Sequence, residues 1–416
     1  MSIPRLPAPH PALPVAGAAA ILIASYPSTL PRSPVVAAVV TAVLCVVATV
    51  PAAFATRRRI RQDNDSSPDR TGRVVVAAAA AVSVVAVIGS GYWQALLRDQ
   101  LAAAAGTEPA GALFAWQWAA VVAGPALALA AAVIWCPRVT AVAAAMVTAL
   151  ACGYLPAAGA ADTPDRTDDQ VLYSALPQGE YVSTIERRAQ TLAERWRDAR
   201  TDRDAPIVIA VPTGSGWVDP DAVEGVRMRW GSRVTVLALQ YADAPSWRVF
   251  AGDRDGAGRS ATALLRALIT TVPRDELPPV YLYGQSLGAI GADDAREWAR
   301  THAPGVVAGT VLAGPPDGSV ARRSDTPRTI IANRSDPVAR WSPALLWRPA
   351  ADAEGTIRTG VRLSRPPWLP VVSFLQTTVD LAGSLDGPKG TGHRYGTEQG
   401  LWIGRTVDRT NDNSVR

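Results

Sequence analysis

Val280-Tyr281-Leu282-Tyr283-Gly284-Gln285-Ser286-Leu287-Gly288 decides the reading of this 416-residue chain. The first four residues read as a buried strand, and Leu287–Thr301 reads as a helix. Between them, Gly-x-Ser-x-Gly forms a tight turn. Glycines are needed on either side of the serine because side chains there collide with neighbouring backbone. The turn lifts Ser286 Oγ clear of the sheet and points the first helical amides, that of Leu287 included, at a reacting oxygen. Such a string is moderate evidence by itself. Its place between strand and helix makes it strong, and it occurs once in the chain.

A serine hydroxyl needs a general base to become nucleophilic at neutral pH. The chain has three histidines. His10 precedes the first apolar stretch. His302 ends the helix that starts at the serine, roughly 20 Å away at 1.5 Å per residue. His393 remains, in Gly390-Thr391-Gly392-His393-Arg394-Tyr395-Gly396, a glycine-bearing loop of the kind that carries function. With the order serine, acid, histidine, the acid falls between 286 and 393 at a strand end. Asp336 follows Thr329-Ile330-Ile331-Ala332-Asn333 and fits that place; Asp325, Asp380 and Asp386 compete. Its role would be to accept the Nδ1 hydrogen of His393 and fix the tautomer. The loop Val211-Pro212-Thr213-Gly214-Ser215-Gly216-Trp217 follows an apolar strand and offers Thr213 or Gly214 as a second oxyanion donor beside Leu287. No Walker pattern is present, and no metal or cofactor is expected.

Around these motifs strands alternate with helices. Strands are expected near 171–176, 206–211, 234–239, 280–283, 306–312 and 329–332. Helices are expected near 184–200, after Asp219-Pro220, and at 257–272 and 287–301. This alternation predicts α/β architecture, a mostly parallel sheet with helices on both faces.

The first 160 residues are of another kind. Five apolar stretches, about 11–28, 34–55, 74–92, 112–135 and 139–158, approach or reach the roughly 20 residues that cross a bilayer. The first resembles a signal peptide but lacks a clean cleavage site and reads as an uncleaved anchor. Trp93, Trp116, Trp118 and Trp135 lie near span ends. Three domains of reading follow: 1–160 a membrane domain, 161–180 a polar linker with the first strand, and 181–416 a catalytic domain. Residues 1–160 hold ten arginines against five acids, and the remainder is neutral. The basic balance therefore reports topology and does not argue for nucleic-acid binding. Arg57, Arg58, Arg59, Arg61, Arg70 and Arg73 place the link after the second span inside the cell. Asp162, Asp165, Asp168 and Asp169 follow the fifth. Five spans put the catalytic domain outside the cytoplasm, and four put it inside. Cys45, Cys136 and Cys152 lie in apolar stretches, which excludes a disulfide framework in the second part.

Together these segments resemble a family of actinobacterial membrane-anchored α/β-hydrolases, in which a multi-span N-terminal domain precedes an α/β-hydrolase domain. The resemblance rests on Thr213–Pro220, Gln240-Tyr241, Pro245-Ser246-Trp247, Gly284–Gly288, Ser335-Asp336-Pro337, Trp341-Ser342-Pro343, Gly392-His393 and Trp93-Gln94. It implies catalytic roles for Ser286, Asp336 and His393, and little about substrate. The expected chemistry is ester cleavage through an acyl-enzyme, with a lipid or envelope ester as substrate and the bilayer as partner. Trp341, Trp347 and Trp368 flank the acid loop as candidate acyl-pocket residues. Acyl transfer to an alcohol, or a non-catalytic scaffold with a hydrolase-like domain, are the alternatives.

Overall fold

The computed structural model describes residues 11–60, 70–135, 171–177 and 184–405. The expected span 139–158, His10, Cys136 and Cys152 lie outside them. The described chain divides into two compact units, one of which takes in Arg362–Asp380 as well as the N-terminal helices.

The helical unit contains α1 (Ala12–Ser25), α2 (Pro34–Ile60), α3 (Arg70–Ala105) and α4 (Gly111–Trp135). Small residues dominate where these helices meet: Ala37, Ala38 and Ala119 pack with Val87, Trp118 and Val122. Short side chains let helix backbones approach closely. Among the described residues two helices, α2 and α3, are long and apolar enough to cross a membrane. At 14 residues α1 is short for a bilayer. Large apolar side chains face outward along this unit: Val35 is 66 % exposed, Val85 70 % and Leu113 70 %. The third helix runs on past the expected end at 92, to Ala105. Its final turns carry Trp93, Gln94, Arg98, Asp99 and Gln100.

In the second unit the elements are β1 (Val171–Ser174), α5 (Ile185–Ala199), β2 (Ile207–Val211), α6 (Pro220–Trp230), β3 (Thr235–Leu239), α7 (Ser246–Gly252), α8 (Gly256–Thr271), β4 (Val280–Gln285), α9 (Leu287–His302), β5 (Val307–Ala313), β6 (Thr329–Asn333) and β7 (Thr356–Thr359). They are followed by α10 (Val372–Ala382), which starts in the helical unit, and the short α11 (Glu398–Leu401). Seven strands form one sheet in the order β1-β3-β2-β4-β5-β6-β7, every neighbouring pair parallel. The sheet matches the expected α/β architecture. Sequence reading omitted β7, a half-buried four-residue edge strand containing Arg358. It also omitted α7 and α10.

Strand residues alternate faces, so one strand feeds two cores. Ile207, Ile209 and Val211 join Leu282 on the side covered by α5, α8 and α9, where Leu192, Trp196, Leu264, Leu268 and Ala292 are buried. Val208 and Ala210 join Tyr283, Val311 and Ile331 on the other side, against Val223 and Val226 of α6. Burial on both faces explains why β2 and β4 are near-continuous apolar runs. Helix starts follow their caps: Thr184 Oγ1 accepts from Arg187 N at 3.2 Å, and Asp219 Oδ1 from Asp221 N at 2.9 Å with Pro220 next.

Candidate active site

The site lies where β4 becomes α9. Ser286 takes φ 56° and ψ −120°, a left-handed backbone that a non-glycine residue adopts only where its surroundings force it. The surroundings are crowded backbone. A Cβ on Gly284 would stand 2.1 Å from the Gly288 carbonyl, and one on Gly288 would stand 2.2 Å from the Val211 carbonyl and 3.0 Å from that of Pro212. The serine amide donates to Ala313 O of β5 at 2.9 Å. The turn is therefore clamped between β2 and β5, and α9 starts immediately after Ser286.

Asp336 sits three residues beyond β6 and is fully buried. Its Oδ2 accepts from His393 Nδ1 at 2.8 Å and from the Tyr395 hydroxyl at 2.5 Å. Oδ1 accepts from the amides of Val338 at 2.8 Å and Ala339 at 3.4 Å. Four donors thus converge on one carboxylate. Because a carboxylate only accepts, Nδ1 of the histidine is the donor in this contact. Nε2 is buried and has no hydrogen-bond partner in the described chain. Burial and the neighbouring Asp336 carboxylate push the Tyr395 phenol well above its ordinary value, so it stays a donor.

Two contacts bring the histidine loop to the serine turn. Gln285 Nε2 donates to the His393 carbonyl at 3.2 Å. Gly314 directly follows Ala313, whose carbonyl holds the Ser286 amide. A Cβ on Gly314 would stand 2.7 Å from Asp336 Oδ2 and 2.7 Å from His393 Cε1. Any larger residue would displace the acid–histidine pair. Asn333 Nδ2 adds bonds to the carbonyls of Gly392 at 3.1 Å and Arg394 at 3.0 Å.

The loop after β2 meets the turn through the Gly288 contact with Val211 and Pro212. Its two expected donors differ. The Thr213 amide donates to Trp217 O at 2.9 Å, closing a turn, and is occupied by backbone. The Gly214 amide donates to Ser246 Oγ at 3.2 Å, a side-chain acceptor that another oxygen can replace. Leu287 occupies the first position of α9, where amides have no intrahelical acceptor.

The competing acids are placed elsewhere. Asp380 pairs with Arg32 in the helical unit, Asp325 lies in the stretch before β6, and Asp386 lies in a turn after α10. Trp347 is 64 % exposed, and Trp368 belongs to the helical unit. A concavity of about 440 Å³ including its open mouth borders β6 and β7; Pro315, Asp317, Ala339 and Arg358 line it, and none of the three tryptophans does. Sequence reading missed Tyr395, Gly314 and Gln285. Their only signal was adjacency: two residues after His393, one after β5, one before Ser286. Among the described residues no group of acidic, histidine or cysteine side chains has metal-binding geometry.

A parallel sheet with a strained serine at a strand-to-helix turn, and an acid–histidine pair supplied by later loops, defines the α/β-hydrolase class. The chain belongs to an alpha/beta-hydrolase family, whose model matches residues 173–329 and 319–412, together more than half of its length. No curated protein and no solved structure matches the chain significantly.

Proposed function

We propose that this hydrolase-type enzyme is a membrane-bound serine hydrolase that cleaves an ester through an acyl-enzyme. The observation that carries the reading is the unpartnered His393 Nε2, oriented by Asp336 and brought to the Ser286 turn by Gln285 and Gly314. In this mechanism Nε2 takes the Ser286 proton as Oγ attacks the ester carbonyl. The developing oxyanion is held by the amides of Leu287 and Gly214, the latter exchanging Ser246 Oγ for substrate. The imidazolium, stabilised by Asp336, then protonates the leaving alcohol. Water repeats the sequence and releases the acid.

The outward apolar surface of α2 and α3 supports a membrane setting, since soluble proteins rarely expose apolar patches of that extent. Packing within the helical unit supports an extracytoplasmic site. The arginine-rich link joins α2 to the start of α3 and reads as cytoplasmic. Arg362–Asp380, which departs from the hydrolase unit and returns to it, bonds instead to the turn between α1 and α2 and to the far end of α3. That arrangement favours five spans over four and an ester of the membrane or envelope as substrate.

A fluorophosphonate probe is expected to label the full-length protein in detergent and to fail on Ser286→Ala. Equal labelling of both would remove Ser286 from the mechanism. A reporter fused after residue 165 tests the topology, and activity confined to a cytoplasmic reporter would reverse it.

A further inference from the structure

Residues Arg362–Asp380 make a detour: Val361 and Leu381 belong to the hydrolase unit, and the stretch between them packs with the membrane helices. Side chains of the helical unit pin both ends. At the start, Gln100 Nε2 donates to Ser364 Oγ at 2.7 Å, and the Ser364 amide returns a bond to Gln100 Oε1 at 2.8 Å. At the end, Asp380 Oδ1 accepts from Arg32 Nε at 2.8 Å, while Oδ2 accepts from the amide and hydroxyl of Thr29 at 2.9 and 2.8 Å.

The pin has its own support. Arg32 Nη1 and Nη2 donate to the side chain and carbonyl of Gln376 at 2.5 and 2.7 Å, and its amide donates to Gln94 Oε1 at 2.7 Å. Gln94 Nε2 donates to Ser28 Oγ at 2.8 Å, and Trp93 Nε1 to Ser28 O at 3.0 Å. The Arg32 and Asp380 side chains are 7 % and 0 % exposed. Between the pins Val371 is held at φ 61°, a conformation a β-branched residue adopts only under constraint.

Burying an ion pair seldom stabilises a fold more than apolar packing of the same volume does. A fully bonded pair does fix geometry, and what lies downstream is the histidine loop. From Asp380 the helix α10 continues to Ala382, and Ser384 follows. The Ser384 carbonyl accepts the His393 amide at 2.7 Å. Gly392, at φ 55°, approaches that carbonyl so closely that a Cβ would stand 2.2 Å from it. The backbone of His393 is thus registered on a residue four positions after the pinned aspartate.

We propose that Arg32 and Asp380 are positioning residues for His393, and that the pinned Arg362–Ala382 strap makes hydrolysis depend on an intact membrane unit. The coupling runs through the covalent chain, from Asp380 through α10 to Ser384 and the histidine loop. It rests on the assignment of Ser286 and His393 given above.

The test uses full-length protein in detergent and a fluorophosphonate probe, with rate constant and final labelled fraction read separately. The fraction reports folded protein; the rate constant reports activation of Ser286. Asp380→Asn and the paired Arg32→Met/Asp380→Leu, which leaves no lone buried charge, are expected to lower the rate constant about 10-fold or more. They are expected to lower kcat for a soluble nitrophenyl ester with KM within about twofold, the signature of a loss confined to the transition state. Arg32→Lys, which keeps the charge, is expected to recover part of the rate. Rate constants within twofold of wild type in both disrupted proteins, with only the labelled fraction reduced, would overturn the proposal and leave the pair a stability element. Absence of labelling in the wild type would instead remove the serine mechanism, and this proposal with it.

Discussion

Asp336 and Asp380 are both buried carboxylates accepting several hydrogen bonds, and they hold different kinds of partner. Asp336 faces an imidazole and a phenol. Asp380 faces a guanidinium and a threonine. A guanidinium keeps its proton at any pH a protein survives, so it can only anchor. An imidazole carries a second ring nitrogen, which here has no hydrogen-bond partner among the described residues. The same acid is therefore bonded to an imidazole in one unit and to a guanidinium in the other. Burial alone does not separate the two; the chemistry of the neighbour does.

Replacing each acid by its amide tests that contrast. Asp336→Asn is expected to lower kcat by about 10³- to 10⁴-fold, because the amide favours the wrong histidine tautomer, while the melting temperature changes little. An effect below tenfold would break the comparison. Asp380→Asn is expected to cost about 3–5 kcal/mol of stability by leaving Arg32 buried without its counter-charge. Thermal melting in detergent measures this, and an unchanged transition would contradict it.

A third acid sharpens the comparison because it has neither kind of partner. Asp219 caps α6 and accepts from Gln399 Nε2 at 2.8 Å, and Gln399 in turn accepts from Tyr283. Burial pushes its carboxyl up to about 6, the bond from Gln399 opposing. The folded protein then binds more protons than the unfolded chain between about pH 4 and 6. Stability from this group is therefore present at low pH and is lost as pH rises through that window, by about 2–3 kcal/mol. Asp219→Asn is expected to flatten that limb relative to wild type in melting curves taken from pH 4.5 to 7. Identical limbs would exclude Asp219 as its source. The smallest expected effect is that of Tyr395→Phe, which removes one donor from Asp336 and leaves the ring in place. Roughly 1–2 kcal/mol, or about a tenfold fall in kcat, is expected, and no change in turnover would show the phenol to be packing only.

What the sequence disclosed about these acids differs in the same way. The pairing of Asp336 with His393 was legible because a buried strand precedes the acid and a lone suitable histidine follows. The elbow was legible because glycine spacing is a local steric requirement. Asp380 stood as a rival for the catalytic acid, since nothing local marks a partner 348 positions earlier. The apolar run of the strap, Trp368-Leu369-Pro370-Val371-Val372, is too short to mark it in sequence as a part of the helical unit. Thr213 and Gly214 were equivalent as letters; backbone hydrogen bonding, which no side-chain pattern encodes, separates them. Tyr395 and Gly314 were invisible for the same reason, because their importance lies in what they touch.

The central claim is that Ser286 becomes acylated. Mixing the full-length protein with a slow nitrophenyl ester and quenching early gives the most direct measurement, as mass analysis of its peptides. The predicted result is the mass of one acyl group in place of a hydrogen on the peptide bearing Ser286, absent in Ser286→Ala and strongly reduced in His393→Ala. Turnover of the ester with no adduct, or an adduct on another residue, would contradict the account.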